Sequence, residues 1–377
     1  MYLNNTVSSL PALQPYGWSD AWHASWLASE HAQDPARSPG RIVVEEKGGY
    51  FVHTLHGERL AQLAGRYRGA IEQGAAERPV VGDWVALTAE PGHASAIIHA
   101  TLPRRTRLAR MSGGGRKSRL GTAYEQVIAA NVDVLFLVTA LSGDLNPRRL
   151  ERYLAIAWDS GAQPVVLLTK ADLCPDVPAA LASIEPVTGG APVHVVSPKT
   201  GEGLTALETY LGGRTLALIG SSGVGKTTLI NRWLGGERLA TGHVSATGEG
   251  RHTTTRRQLL AMPSGGAVID TPGMRELALW EADAGLTEAF ADVDALIGQC
   301  KFGDCAHGSE PGCALRAAVA NGTLPAERLE SWLKLQGELA HVRGLDDPAA
   351  QRESKRRGKI GSKLLRARIA DKRPGEP

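Results

Sequence analysis

The 377 residues, of which 42% are hydrophobic, are enough for two or three separate cores, so no single fold has to account for the whole chain. A net charge of +3 leaves basic residues to act through clustering rather than excess, and four cysteines in a chain this long exclude a disulfide framework. No apolar run approaches a membrane span, and Met1-Tyr-Leu-Asn-Asn-Thr6 lacks a basic stretch followed by an apolar core, so a cytoplasmic protein that does not engage membranes is expected.

Residues 1–40 read as an N-terminal extension. Trp18, Trp22 and Trp26 recur at i, i+4, i+8, which places three indoles on one helix face, expected to dock on the protein itself. From 41 to 111 the pattern changes to short β-rich segments: Arg41-Ile-Val-Val-Glu45, Gly49-Tyr-Phe-Val-His53, Arg66-Tyr-Arg68, Val80 to Leu87 and Ala96-Ile-Ile-His-Ala100. Short strands broken by glycine and proline predict a small barrel, here an OB-fold of the kind that binds RNA. Seven basic residues and no acid fall between Arg104 and Arg119, and the glycines among them make 112–126 a flexible basic linker that can neutralise phosphates.

From 127 to 282 the signal is α/β. The strands Val132 to Thr139, Pro164 to Leu168 and Val193 to Val196 alternate with the helices Pro147 to Trp158, Ala179 to Ile184 and Gly203 to Leu211. Such alternation predicts a parallel sheet covered on both faces, with ligands at the carboxyl ends of its strands. The first such end carries Thr169, Lys170, Ala171 and Asp172, which resembles the guanine-reading [NT]KxD element; a carboxylate at Asp172 can accept from guanine N1–H and the 2-amino group. A second carries Ser197-Pro-Lys-Thr-Gly201, resembling the SAxxG loop that helps hold guanine. Pro198 has no N–H to offer the base oxygen, and the N–H of Lys199 is the substitute.

The apolar strand Thr215 to Ile219 then leads into Gly220, Ser221, Ser222, Gly223, Val224, Gly225, Lys226, Thr227 and Thr228, followed by the amphipathic Leu229-Ile-Asn-Arg-Trp-Leu234. This is strand, glycine loop and helix, the context a GxxxxGK[ST] phosphate loop requires: backbone N–H groups converge on phosphate oxygens at a helix N-terminus. Lys226 would reach the β- and γ-phosphates, and Thr227 would put its hydroxyl on Mg²⁺. After Gly248 to Thr255 an apparent hairpin ends in Asp270-Thr-Pro-Gly273. Asp270 would hold a Mg²⁺ water, the Gly273 N–H would meet the γ-phosphate, and Thr254 would complete Mg²⁺ coordination.

An ordinary GTPase runs phosphate loop, switch threonine, DxxG, [NT]KxD, SAxxG; here the last two come first, the mark of circular permutation, which is tolerable because domain termini lie close together. Where Ras-like GTPases place the glutamine that orients the attacking water, this chain has Met274, and a thioether cannot do that work. His252, beside the switch threonine, is the candidate catalytic residue together with Lys226.

Cys300, Cys305, His307 and Cys313 follow, three thiolates and an imidazole that make a closed shell for one structural zinc, and helical patterns on both sides predict a helical zinc domain over 283–345. The tail, 346–377, holds ten Lys/Arg against three acids from Gln351 onward and is read as an RNA-backbone contact. The predicted architecture is therefore multidomain: an N-terminal OB-fold β-barrel, a circularly permuted α/β P-loop GTPase domain and a C-terminal helical zinc-binding domain.

Barrel, permuted GTPase and zinc cluster in that order resemble the ribosome small subunit-dependent GTPase A family (RsgA, also called YjeQ), over about residues 41 to 345. The resemblance implies a cytoplasmic GTPase, expected as a monomer, that binds GTP and GDP and acts on the small ribosomal subunit and its rRNA late in maturation, with hydrolysis stimulated by that subunit. Two other readings share the same phosphate loop: an ATP-driven enzyme, and a nucleotide-regulated RNA-binding module with negligible turnover.

Overall fold

The tryptophan spacing becomes helix α1 (Asp20–Leu27), with Trp18 just before it, and all three indoles are buried. They cover Trp84 of the following barrel: the Trp18 and Trp84 ring centroids stand 4.8 Å apart edge to face, and Trp22 lies 6.0 Å from the same ring. The apolar face is spent on the protein itself. In this computed structural model the described residues are 10–46, 48–89, 92–112, 124–239, 257–270, 283–308 and 310–346.

The barrel is built from β1 (Ser38–Glu46), β2 (Gly49–Thr54), β3 (Gly57–Leu63), β4 (Trp84–Thr88) and β5 (Ser95–Thr101), in the order β1-β2-β3-β5-β4. It closes because β1 pairs with both β2 and β4, and a bulge between Ile42 and Val44 supplies the bend. One expectation fails here. Arg66-Tyr-Arg68 is not strand but part of helix α2 (Gly65–Glu72), because Tyr67 and Ile71 pack inward at i, i+4 spacing rather than alternating.

The basic stretch also begins differently from a loose arm. Strands β6 (Arg107–Ser112) and β7 (Tyr124–Ala130) pair antiparallel from Arg107↔Ala130 to Ser112↔Tyr124, so both ends of the expected 112–126 linker sit in a ladder, and 113–123 lie outside the described residues. Arg104 is consumed by fully buried Asp83, donating from Nε to Oδ1 at 2.8 Å and from Nη2 to Oδ2 at 2.7 Å. A buried carboxylate needs such a partner. Arg105 lies over the Trp22 ring at 4.2 Å.

The central sheet contains β8 (Val134–Ala140), β9 (Gln163–Thr169), β10 (Val193–Val195), β11 (Thr215–Ile219), β12 (Gln258–Ala261) and β13 (Ala267–Asp270), ordered β10-β9-β8-β11-β13-β12 and parallel except for β12. Every residue of β8 is buried, Leu135 and Leu137 into the core on one face and Val134, Phe136 and Val138 into the core on the other, as expected where helices cover both sides. Helix α3 (Pro147–Ser160) covers the first face; Asn146 caps it by accepting from the Arg149 N–H, and left-handed Gly161 ends it. Helix α4 (Val177–Ile184) lies beyond β9, a 3₁₀ stretch spans Leu204–Tyr210, and helix α5 (Lys226–Trp233) covers the second face through Leu229 and Ile230.

Strand β12 also pairs with β1 at Val44↔Gln258, so barrel and central sheet form one continuous ladder of eleven strands. The C-terminal unit, α6 (Asp283–Ala289), α7 (Ala291–Ile297), α8 (Ala314–Ala320) and α9 (Ala326–Asp346), packs on α3. There Arg328 donates to Glu151 of α3 at 2.7 Å and to Asp292 at 2.7 and 3.0 Å, and Ser331 donates to Glu151. Among the described residues no helix is long and apolar enough to cross a membrane.

Candidate nucleotide and metal sites

The loops Thr169–Asp172, Ser197–Gly201 and Gly220–Thr228 and the end of β13 at Asp270 all stand at the carboxyl edge of the parallel sheet, where strand ends leave backbone groups unpaired. Gly220 needs its missing side chain: at φ 150° a Cβ would run into the Val138 carbonyl of β8, so the loop turns flush against the neighbouring strand. Gly225, at φ 99°, starts α5 from the left-handed region. Inside this loop the Lys226 ammonium donates to the Gly220 carbonyl at 2.8 Å and the Ser221 carbonyl at 2.6 Å. Burial raises the Asp270 carboxyl above its ordinary value while Lys226 pulls it back, an environment in which a cation is welcome.

Thr169 stands where asparagine is commoner, and the fold gives its hydroxyl a main-chain partner. The side chain is fully buried and its hydroxyl donates to the Val224 carbonyl at 2.6 Å, tying the base-reading strand end to the phosphate loop. Lys170 then turns through the left-handed region at φ 58°, and exposed Asp172 accepts from the buried Ser197 hydroxyl at 2.7 Å. The two candidate base-reading elements are therefore one hydrogen-bonded unit. Thr227 is half-buried in the first turn of α5, and Thr228 follows it there. His252, Thr254 and Gly273 lie outside the described residues.

Two residues in α5 escaped the sequence reading. Buried Asn231 donates from Nδ2 to the Leu239 carbonyl at 2.8 Å and accepts from the Leu239 N–H at 2.9 Å, anchoring the chain just before residue 240. Arg232 donates from Nε to the Pro198 carbonyl at 3.1 Å and from Nη2 to the Lys199 carbonyl at 2.9 Å. Asparagine within a helix is a poor former that competes for backbone groups, and that was the available signal.

The four predicted metal ligands do come together. Their donor atoms all lie within 4.8 Å of one another, with His307 Nδ1 at 3.6 Å from Cys300 Sγ and 3.7 Å from Cys313 Sγ. Tetrahedral zinc with bonds of about 2.3 Å to sulfur and about 2.0 Å to nitrogen needs S···N separations of about 3.6 Å, so the donor set fits. The Ala314 N–H lies 3.4 Å from Cys300 Sγ at the start of α8 and lowers that thiol's pKa, favouring the thiolate a metal requires. The edge of the Trp332 ring system, 5.6 Å between centroids, buttresses His307.

Known proteins resemble the chain over most of its length. A family model described as RsgA GTPase matches residues 101–280. The chain is 46% identical over 304 residues to the small ribosomal subunit biogenesis GTPase RsgA 2 of Lactiplantibacillus plantarum, covering 80% of this chain and 83% of that protein. It is 41% identical over 377 residues to the small ribosomal subunit biogenesis GTPase RsgA of Streptomyces coelicolor, covering 98% and 99%. Among solved structures it resembles YjeQ from Thermotoga maritima, with a TM-score of 0.60 at 27% identity, covering 81% of this chain and 99% of that one. It also resembles YloQ, described as a circularly permuted GTPase, with a TM-score of 0.55 at 25% identity, covering 83% and 98%.

Proposed function

The chain belongs to the RsgA GTPase family and is a GTP hydrolase, and on that premise we propose that it binds the small ribosomal subunit late in maturation and hydrolyses GTP to GDP and phosphate in response. The observation that carries this reading is the linkage of base-reading and phosphate-binding loops through Thr169 and Val224, with Asp172 oriented by Ser197. That arrangement would hold a guanine nucleotide in a fixed pose. Of the alternatives, an ATP-driven enzyme has no use for Asp172.

Thr227, Asp270 and Thr254 are the residues that would hold Mg²⁺, which neutralises phosphate charge when bound. Lys226 supplies positive charge toward the β- and γ-phosphates, and His252 orients the attacking water in place of the absent glutamine. Cys300, Cys305, His307 and Cys313 would hold one zinc as a structural cross-link of the C-terminal unit, whose span we take as 283–345, beside a GTPase domain over 127–282. The barrel, residues 113–119 and the basic tail would contact rRNA. We read the protein as a cytoplasmic monomer.

Co-sedimentation with purified small subunits tests the partner. Binding in the GTP state that weakens in the GDP state is the expected result; absence of binding in either state rejects the ribosomal role. His252→Ala tests the catalytic assignment. Nucleotide and subunit binding should persist while stimulated turnover falls by about a hundredfold, the scale of losing one positioned catalytic group; full stimulated turnover removes His252 from catalysis.

A further inference from the structure

The loop Ser197–Gly201 spends nearly all its backbone donors on itself. The Ser197 N–H goes to the Glu202 carbonyl, the Thr200 N–H to Ser197 Oγ at 3.2 Å, and the Gly201 N–H to the Ser197 carbonyl at 2.8 Å. Pro198 has none. Within this loop the Lys199 N–H is the one backbone donor left without a protein partner among the described residues, and thus the single main-chain donor the loop can offer a base.

Its direction is set from outside the loop. In a trans peptide the carbonyl oxygen and the following N–H point opposite ways in one plane. Arg232 Nε holds the Pro198 carbonyl, so that bond turns the Lys199 N–H away from α5. Arg232 Nη2 holds the Lys199 carbonyl, and the N–H of that peptide, Thr200's, accordingly meets Ser197 Oγ, which in turn donates to Asp172. One guanidinium on the phosphate-loop helix therefore orients two successive peptides. A lysine at 232 has no rigid fork, so its rotatable ammonium would not hold the two carbonyls in the fixed relative geometry that the planar guanidinium imposes.

We propose that Arg232 is a positioning residue for guanine selectivity, aiming the Lys199 N–H at the base carbonyl oxygen O6 and so restoring the contact that Pro198 forfeits. This rests on reading the site as a guanine pocket. Selectivity of this kind comes from polar groups that the wrong base leaves unmatched.

The test is nucleotide affinity of the full chain for GDP, ADP and 2-aminopurine riboside diphosphate, which keeps the 2-amino group but has no O6. In Arg232→Ala, GDP affinity should fall roughly tenfold, the effect of one well-placed hydrogen bond, while the two nucleotides without O6 bind as before. Arg232→Lys should give an intermediate loss for GDP alone. Arg232 is exposed, so the melting temperature of the free protein should stay put. Equal losses for all three nucleotides would reduce Arg232 to a general structural role, and no loss for GDP would overturn the proposal outright. If the wild type itself fails to prefer GDP over ADP, the guanine pocket is wrong and the proposal falls with it.

Discussion

The barrel and the C-terminal unit meet the central domain in opposite ways. The barrel is joined chiefly through main chain and apolar packing, with buried Arg41 donating to the Asn131 carbonyl and Thr215 Oγ1 beside it: β1 pairs with β12, and Val43 and Val81 share a core with Leu259 and Ile269. At Gly82, held at φ 93°, the barrel comes so close that a Cβ would strike the Ala130 carbonyl and lie 3.1 Å from Ile269 Cδ1. The C-terminal unit instead adds ion pairs to its packing, Arg328 to Glu151 deep inside and Arg152 to Glu338 and Arg148 to Glu330 farther out. The first junction lies on the hairpin β12–β13 that ends at Asp270; the second lies on α3. A backbone ladder passes a strand shift from one domain to the next, whereas buried ion pairs fix orientation while adding little net stability.

The largest effect expected is on the C-terminal side. Chelation of the metal, or Cys305→Ser, should remove binding energy on the order of 10 kcal/mol, since such energy is folding energy in small zinc units. Far-UV circular dichroism should then show lost helix while nucleotide binding survives, and about one zinc per chain should be found by elemental measurement beforehand; no metal, or an unchanged melt after Cys305→Ser, contradicts the site. Next, Arg328→Met should cost about 3–5 kcal/mol because it strands the Glu151 carboxylate, and pairing it with Glu151→Leu should recover most of that loss in denaturant titrations. A double variant no more stable than Arg328→Met alone would show that a stranded Glu151 carboxylate is not the source of the loss.

Gly82→Ala should cost about 2 kcal/mol or more, since backbone strain at φ 93° adds to the clash with the Ala130 carbonyl. Unlike Arg328→Met, it should also change GDP affinity, because relieving the clash with the Ala130 carbonyl shifts a junction that also presses on Ile269, one residue before Asp270. If both variants leave nucleotide affinity alone, the two junctions do not differ in coupling. The smallest effect belongs to Glu45 and Arg257, 3.9 Å apart and each partly exposed. Charge reversal at either should shift stability by less than about 1 kcal/mol, with the double swap restoring it.

How legible this was in the sequence depended on whether a residue's partner was local. Phosphate loop, Thr169–Asp172, Ser197–Gly201 and the Cys/His set each carry their chemistry in a short stretch, and each lies at a strand end or in one cluster. Strand β3 has a weak pattern because in Gly57-Glu-Arg-Leu-Ala-Gln-Leu63 the large apolar Leu60 faces outward and small Ala61 is the fully buried residue. Arg104 looked like part of a mobile basic arm because Asp83, twenty-one residues earlier, does not advertise its burial. The roles of Asn231 and Arg232 depend on chain brought in from Leu239 and the Ser197 loop, which no local pattern reveals. The partner of the Thr169 hydroxyl, the Val224 carbonyl, is likewise fifty-five residues away in sequence and visible only in the fold.

The central claim, that this is a GTPase driven by the small ribosomal subunit, is tested most directly by phosphate release from GTP with and without purified small subunits. Slow release alone and an increase of orders of magnitude with subunits, abolished in Lys226→Ala, is the predicted result. An identical rate in the presence and absence of subunits would contradict it.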